Sequence, residues 1–230
     1  NREALFESVA EIGIDRDELA WILPTHAHLD HAGGAGYLAE RYPNAEVRVP
    51  EKGVRHLVDP EALVAGTKSA VGDQWEHYAE PKPVPDDRIE GVAEGDQIDL
   101  GDRELDVIAL PGPAPGHLGL VDPATDTLYG GDVVHFDYGL FLHFKDCDLE
   151  ACISSLARVR SLYDAGEFET LVTSHNEPLS GDDLSVIDDL LDGVREIADD
   201  EREYEVVDTD WGLARSYSIG DLPVLAPVER

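Results

Sequence analysis

The sequence predicts an α/β domain of mixed sheets covered by helices, on three observations. Strand-like and helix-like apolar patterns interleave along the chain, as layered α/β folds require. Two stretches, "QIDLGDRELDVIALPG" and "HLGLVDPATDTLYGGDVV", alternate polar and apolar residues about a short turn, which is a hairpin pattern. The 230 residues, 42% of them apolar, suffice for one substantial domain with a buried core. A single domain over 1–230 is expected, with core motifs in 20–176 and an acidic helix and tail in 181–230. No internal repeat or dividing linker interrupts it.

The elements follow in order. Residues 3–12 read as an amphipathic helix stopped at Gly13. "LAWIL" is a short apolar run that suits a buried strand, ending at Pro24. "GGAGYLAERYP" reads as a helix closed by Pro43, and "AEVRVP" as a strand. Residues 51–80 are helical in pieces, broken around Pro60 and Gly72. The first hairpin turns at Gly101–Asp102 and the second near Asp122–Thr125. "DLEACISSLARVRSLYDAG" is a helix with an apolar face at Ile153, Leu156, Val159 and Leu162. "FETLVTSH" is a strand, "DDLSVIDDLLDGVREIADDERE" an acidic amphipathic helix, and "ARSYSIGDLPVLAP" a strand-like tail.

Charge narrows the classes of function. The formal net charge is −33, from 50 acidic and 17 basic residues, of which four are Lys. Such a field repels phosphate backbones, so no nucleic-acid partner is expected. Acidity with few lysines resembles the composition of halophilic archaeal proteins. No run approaches the eighteen or so apolar residues of a membrane span, and nothing reads as a signal peptide. Cys147 and Cys152 suit no disulfide framework, and the cytoplasm is the expected compartment. The chain lacks Met and opens in mid-helix pattern, so it is expected to be a piece of a longer protein. The expected partner is a small-molecule substrate, with no membrane; oligomeric state is left open.

The chemistry concentrates in "THAHLDHAGG", Thr25 to Gly34. Side chains two apart on an extended segment point the same way, so His26 and His28 can reach one metal ion. Asp30 and His31 follow as the chain turns toward a glycine-rich helix start, and can face a second ion. Three further candidates sit at strand ends: His117 in "PGPAPGHLGL", Asp132 in "YGGDVV" and His175 in "LVTSH". Strand ends are where sites collect in α/β folds.

Together these residues resemble the motifs of the metallo-β-lactamase superfamily, from about residue 20 to 176 and in that family's order. The resemblance implies an αββα sandwich of two mixed sheets flanked by helices, with a dinuclear metal site. By it, His26, His28 and His117 hold the first ion, Asp30, His31 and His175 the second, and Asp132 bridges them. The expected cofactor is two divalent ions, most simply Zn2+, with iron or manganese as alternatives. His31, and the lack of a Cys near a motif, make the pattern closest to the glyoxalase II-like hydrolases. That branch implies a metal-bridging hydroxide cleaving an ester, thioester or lactone-type small molecule, with Asp30 as the catalytic group accepting a hydrogen bond from the nucleophile. The alternatives are a mononuclear non-haem iron persulfide dioxygenase and a phosphodiesterase or nuclease of the same superfamily.

The chain departs from that pattern in two places. The family has two or more strands before its first motif; here a helix and one strand stand there. The helix after His175 is strongly acidic, with Arg195 and Arg202 as its basic residues, which argues against glutathione thioesters. Around the site, Thr25 and Ser174 are candidate partners of the ligand histidines. His56, His135 and His143 are candidate substrate-binding residues, His77 reads as structural or surface, and Arg215 and Tyr217 read as either anion contacts or a final edge strand.

Overall fold

The computed structural model describes residues 2–142, 147–199, 203–209, 212–219 and 222–227. The chain divides into two compact units, Asn1–Ala93 and Glu94–Arg230.

In the first unit, helix α1 (Arg2–Glu11) precedes strand β1 (Trp21–Ile22). Helices α2 (Leu29–Ala32) and α3 (Ala35–Arg41) lead to β2 (Glu46–Pro50), and α4 (Glu51–Val58) and α5 (Glu61–Val71) lead to β3 (Ile89–Val92). The strands pair in parallel in the order β1-β2-β3. Parallel neighbours need long crossovers, which the helices supply. Val47 and Val49, two apart on β2, are both fully buried, as a strand with one covered face requires. They join Ile22, Ala35, Ala39, Tyr42 and Leu57 in the core of this unit. Arg88 clamps it: its guanidinium donates to the carbonyls of Ala45 (Nε, 3.0 Å) and Tyr42 (3.0 Å). These carbonyls lie just past the end of α3, where a cation is favoured.

In the second unit, β4 (Gln97–Asp99), β5 (Glu104–Ala109), β6 (Leu118–Asp122) and β7 (Thr127–Gly131) run as an antiparallel meander. After β8 (Leu140–Phe141), helix α6 (Leu149–Asp164) crosses to β9 (Thr170–Thr173), which pairs parallel to β7. Strand β10 (Leu179–Ser180) completes a six-stranded sheet of order β10-β9-β7-β6-β5-β4. Every residue of β6 is buried, as befits a strand covered on both faces. Helix α7 (Val186–Ala198) follows, then β11 (Glu205–Thr209), β12 (Gly212–Ile219) and β13 (Leu222–Pro227). With β8 they form a second mixed sheet, β11-β12-β13-β8, in which β13 and β8 are parallel. Asp148 caps α6, its side chain accepting the Ala151 amide at 3.0 Å. The face expected of α6 is the one that packs: Leu156 and Val159 are fully buried, with Ile153 and Leu162 beside them.

The six- and four-stranded sheets are both mixed, as the resemblance implied, and some elements differ from the sequence reading. Among the described residues no strand precedes β1, and the first unit's sheet is wholly parallel because each connection carries helices. The helix read over "GGAGYLAERYP" is α3, and a separate short helix not expected from the sequence, α2, precedes it inside the histidine cluster. "EVVDT", absorbed into no expected strand, pairs with β12. The tail is not a sheet edge at Arg215 and Tyr217. Both lie on β12, between two neighbours; Tyr217 is buried in the core and Arg215 stacks over Tyr204 at 4.8 Å. No helix among the described residues is long and apolar enough to cross a membrane.

The β6–β7 turn is held by Asp122, which is completely buried. Its carboxylate accepts Arg103 Nε at 2.9 Å and the Ala124 amide at 3.0 Å. Burial pushes this carboxyl up, but the guanidinium and the amide outweigh it and hold it below the usual range. A carboxylate depressed by folding adds stability above its unfolded pKa of about 4, and that stability is lost as pH falls through the lower folded value. Asp122→Asn is expected to lower stability at neutral pH, with the deficit shrinking below about pH 4. Denaturant titrations at pH 7 and pH 3 check this; an equal deficit at both would count against the ion pair.

Candidate metal centre

The histidine cluster of the first unit lies just past the C-terminal end of β1 and runs into α2. The chain is extended at His28, the residue before α2 (φ −61°, ψ 149°). The rings of His26 and His28 stand 4.5 Å apart, as their spacing on an extended segment predicts, and that of His31 is 4.1 Å from His26. His26 is fully buried, and Thr25 Oγ1 lies 3.1 Å from its Nδ1, the contact expected of that hydroxyl. Asp30 and His31 occupy successive positions of α2, with His31 Nε2 3.3 Å from Asp30 Oδ2. Burial raises the Asp30 carboxyl, but the hydrogen bond and charge of His31 bring it below its ordinary value. Tyr78, which carried no signal in the sequence, belongs to this neighbourhood: burial, then the charge of Asp30, push its phenol up.

In the second unit, sheet register assembles the donors. β6 and β7 pair with Asp122 opposite Thr127 and Leu120 opposite Tyr129. Continuing that register sets His117 opposite Asp132, and the Asp132 amide donates to His117 Nε2 at 3.0 Å. β9 runs parallel to β7, with Thr173 beside Gly131, so His175 emerges at the same edge. His175 Nε2 lies 3.4 Å from Asp132 Oδ1. His135, expected only to touch substrate, stands with them. Its Nε2 is 3.6 Å from Asp132 Oδ2, and its ring centroid is 4.5 Å from that of His175. One donor atom each from Asp132, His135 and His175 lies within 4.8 Å of the other two. His117 is placed differently. With its Nε2 lone pair directed at the Asp132 amide, ligation requires the ring to turn over.

Asn176 had no sequence signal beyond its place after His175. Its side-chain N–H donates to the His135 carbonyl at 2.7 Å and its oxygen accepts the Tyr138 amide at 3.2 Å. It also reaches Thr173 Oγ1 at 3.2 Å, so it ties the end of β9 to the chain after β7. Ser174 contributes its backbone amide, to Gly131. Of the other expected substrate residues, His56 sits in the last turn of α4. There burial and then Arg55 lower its pKa, and its Nε2 accepts Arg55 Nε–H at 3.2 Å. His143 lies outside the described residues. His77 is exposed beside Glu76, as a surface residue would be.

The donor set fits a divalent metal. Imidazole nitrogen and carboxylate oxygen are the groups that zinc, iron and manganese share. In the second unit they converge at a sheet edge, with His135 and Asp132 buried. A model of the metallo-beta-lactamase superfamily matches residues 1–175. The chain belongs to that superfamily. Among curated proteins it is 31% identical, over 157 residues, to acyl-coenzyme A thioesterase MBLAC2 of Gallus gallus, covering 66% of this chain and 54% of that protein. It is 27% identical, over 179 residues, to a hydroxyacylglutathione hydrolase of Bdellovibrio bacteriovorus, covering 72% of this chain and 59% of that one. The chain thus spans little more than half the length of these relatives. Among solved structures, a metallo-beta-lactamase superfamily protein of Sulfolobus tokodaii superposes with a TM-score of 0.64 at 22% identity, covering 83% of this chain and 72% of the other. Members of this superfamily typically bind metals, and this chain carries the His and Asp groups to do so.

Asn176→Ala removes hydrogen bonds to partly buried backbone, each worth about 1 kcal/mol net, with a further cost for the groups left behind. It is expected to destabilise the chain by about 1–3 kcal/mol and to speed hydrogen exchange at the Tyr138 amide. Unchanged exchange at that amide would show that the side chain does not order this segment.

Proposed function

We propose that this superfamily member is a metal-dependent hydrolase that cleaves a thioester, or a related ester or lactone, in a small molecule. The convergence of Asp132, His135 and His175 within one ion's reach is the observation that carries the metal. The thioester preference draws on the relatives: the names of both curated proteins denote removal of an acyl group from a thiol carrier. In this reading, as the family motifs imply, His26, His28, Asp30 and His31 of the first unit and His117, Asp132 and His175 of the second would be metal ligands, with Asp132 the shared one.

When bound, divalent ions supply Lewis acidity toward a carbonyl oxygen and lower the pKa of water toward about 7. The side chains supply the rest. Thr25 orients the His26 ring through Nδ1, which sets which ring nitrogen is offered outward. Asp30, whose side chain is half-buried beside His31 but still open to solvent, accepts the hydrogen bond of the attacking water at an Oδ atom. His31 beside it holds that carboxylate in orientation.

One observation favours a second reading. Two histidines and one carboxylate, the set formed by His135, His175 and Asp132, also suit a mononuclear non-haem iron oxygenase, which here would act on persulfides. Metal analysis after native purification separates the two. Two zinc ions per chain with thiol release from an acyl-thiol substrate is the expected result; one iron per chain with oxygen uptake would overturn the hydrolase. Asp132→Ala is expected to stay folded by circular dichroism, lose at least one equivalent of metal, and fall in kcat/KM on the order of 100-fold or more. Full turnover with both ions retained would remove Asp132 from its shared role.

A further inference from the structure

We infer that His135 is a metal ligand, completing with Asp132 and His175 a three-donor site carried wholly by the second unit. This rests on the reading of the chain as a metalloenzyme and adds to it a donor that the family motifs do not contain.

Geometry is the first argument. Two donor atoms each about 2.0–2.1 Å from a zinc ion, spread at the tetrahedral angle, lie about 3.3–3.4 Å apart. His175 Nε2 is 3.4 Å from one Asp132 oxygen and His135 Nε2 is 3.6 Å from the other. Both separations exceed the usual 2.7–3.2 Å or so of an N–H···O hydrogen bond and sit near that ligand–ligand edge. The two rings are tilted by 40° rather than stacked, and each brings its Nε2 near a different oxygen of the same carboxylate. Meanwhile His117, the histidine that the motifs would assign to this edge, turns its Nε2 to the Asp132 amide.

The second argument is independent of the rings. The chain just after His135 is bent and tied down. Asp137 (φ 51°) and Tyr138 (φ 58°) both adopt the left-handed conformation without being glycine, which costs energy and persists only where the surroundings enforce it. Here they do. The His135 amide donates to the Gly139 carbonyl at 2.8 Å, and Asn176 bridges the His135 carbonyl and the Tyr138 amide. β8 then pairs with β13, and the Leu142 amide donates to the Leu225 carbonyl at 2.7 Å. The approach is so close that a Cβ on Gly139 would fall 1.9 Å from the Pro223 carbonyl oxygen. A pocket-lining histidine needs no such enforcement. A ligand, whose nitrogen must be held to a few tenths of an ångström, does.

The test compares metal binding by the full chain and two variants, His135→Ala and His135→Gln. Glutamine keeps an N–H that can reach Asp132 but is a poor ligand. Apo-protein is titrated with Co2+, followed by its visible absorption, and with Zn2+ in competition with a chelator. Both variants are expected to bind Co2+ at least about tenfold more weakly, a loss that even an outer partner of a ligand can cause, with a changed visible band. In 15N-histidine-labelled wild type, zinc is expected to shift the His135 ring nitrogen that binds it, a measurement that stands even if His135→Ala does not fold. Wild-type affinity and band in His135→Gln, or a His135 resonance unmoved by zinc, would reduce His135 to a hydrogen-bond partner of Asp132 and leave the metalloenzyme intact. A wild-type chain that takes up neither metal would overturn both.

Discussion

The candidate centre of the second unit depends on the register in which β6, β7 and β9 pair. A side-chain period of two means that a one-residue slip would turn every side chain to the opposite face. Here the antiparallel pairing of β6 with β7 and the parallel pairing of β9 with β7 bring three chain positions, 117, 132 and 175, to one edge. α6 makes this possible, since a parallel neighbour needs a crossover, and the burial of Leu156 and Val159 against this unit's core holds the crossover down. The donors are thus positioned by rigid strands, where small errors in placement are least.

Beyond the strand ends the backbone is held by side chains and by the tail. Asn176 carries the order of β9 into the segment after β7, and β13 pins β8 from the other side. Core residues of the tail sheet, Tyr217, Ile219 and Val224, belong to the same cluster as those of α6 and α7. The tail is therefore structural to the site's surroundings, and two left-handed residues at 137 and 138 are the local cost of directing the chain from His135 into β8.

Charge shapes the surface more than the site. Several of the 17 basic residues are engaged by acids or carbonyls: Arg158 pairs with Glu94, Arg160 with Asp164 and Asp188, Arg48 with Glu46 and Glu90. Exposed pairs of this kind add little each. They leave the large acidic excess to repel itself, which salt relieves by shortening the range of the field, to about 3 Å at 1 M.

The density of "THAHLDH" and the strand-end positions of His117, Asp132 and His175 were legible in the sequence because local period and turn chemistry decide them. The hairpins, the α6 face and the breaks at Pro60 and Gly72 were legible for the same reason. His135 was not: nothing local distinguishes a histidine aimed at a carboxylate from one that lines a pocket. Its place follows from a bend enforced by Asn176, forty-one residues away, and by a strand some eighty residues further along. Nor could the sequence show the His117 ring engaged by a backbone amide, the phenol of Tyr78 within the field of Asp30, or Arg215 and Tyr217 on an inner strand. By itself the sequence determined which donor groups the chain owns and at which strand ends they lie, because these follow from residue type and period. Which of them meet, and through which atoms, was decided by the tertiary structure, because register, strain and hydrogen bonds between distant segments set distances that no local pattern carries.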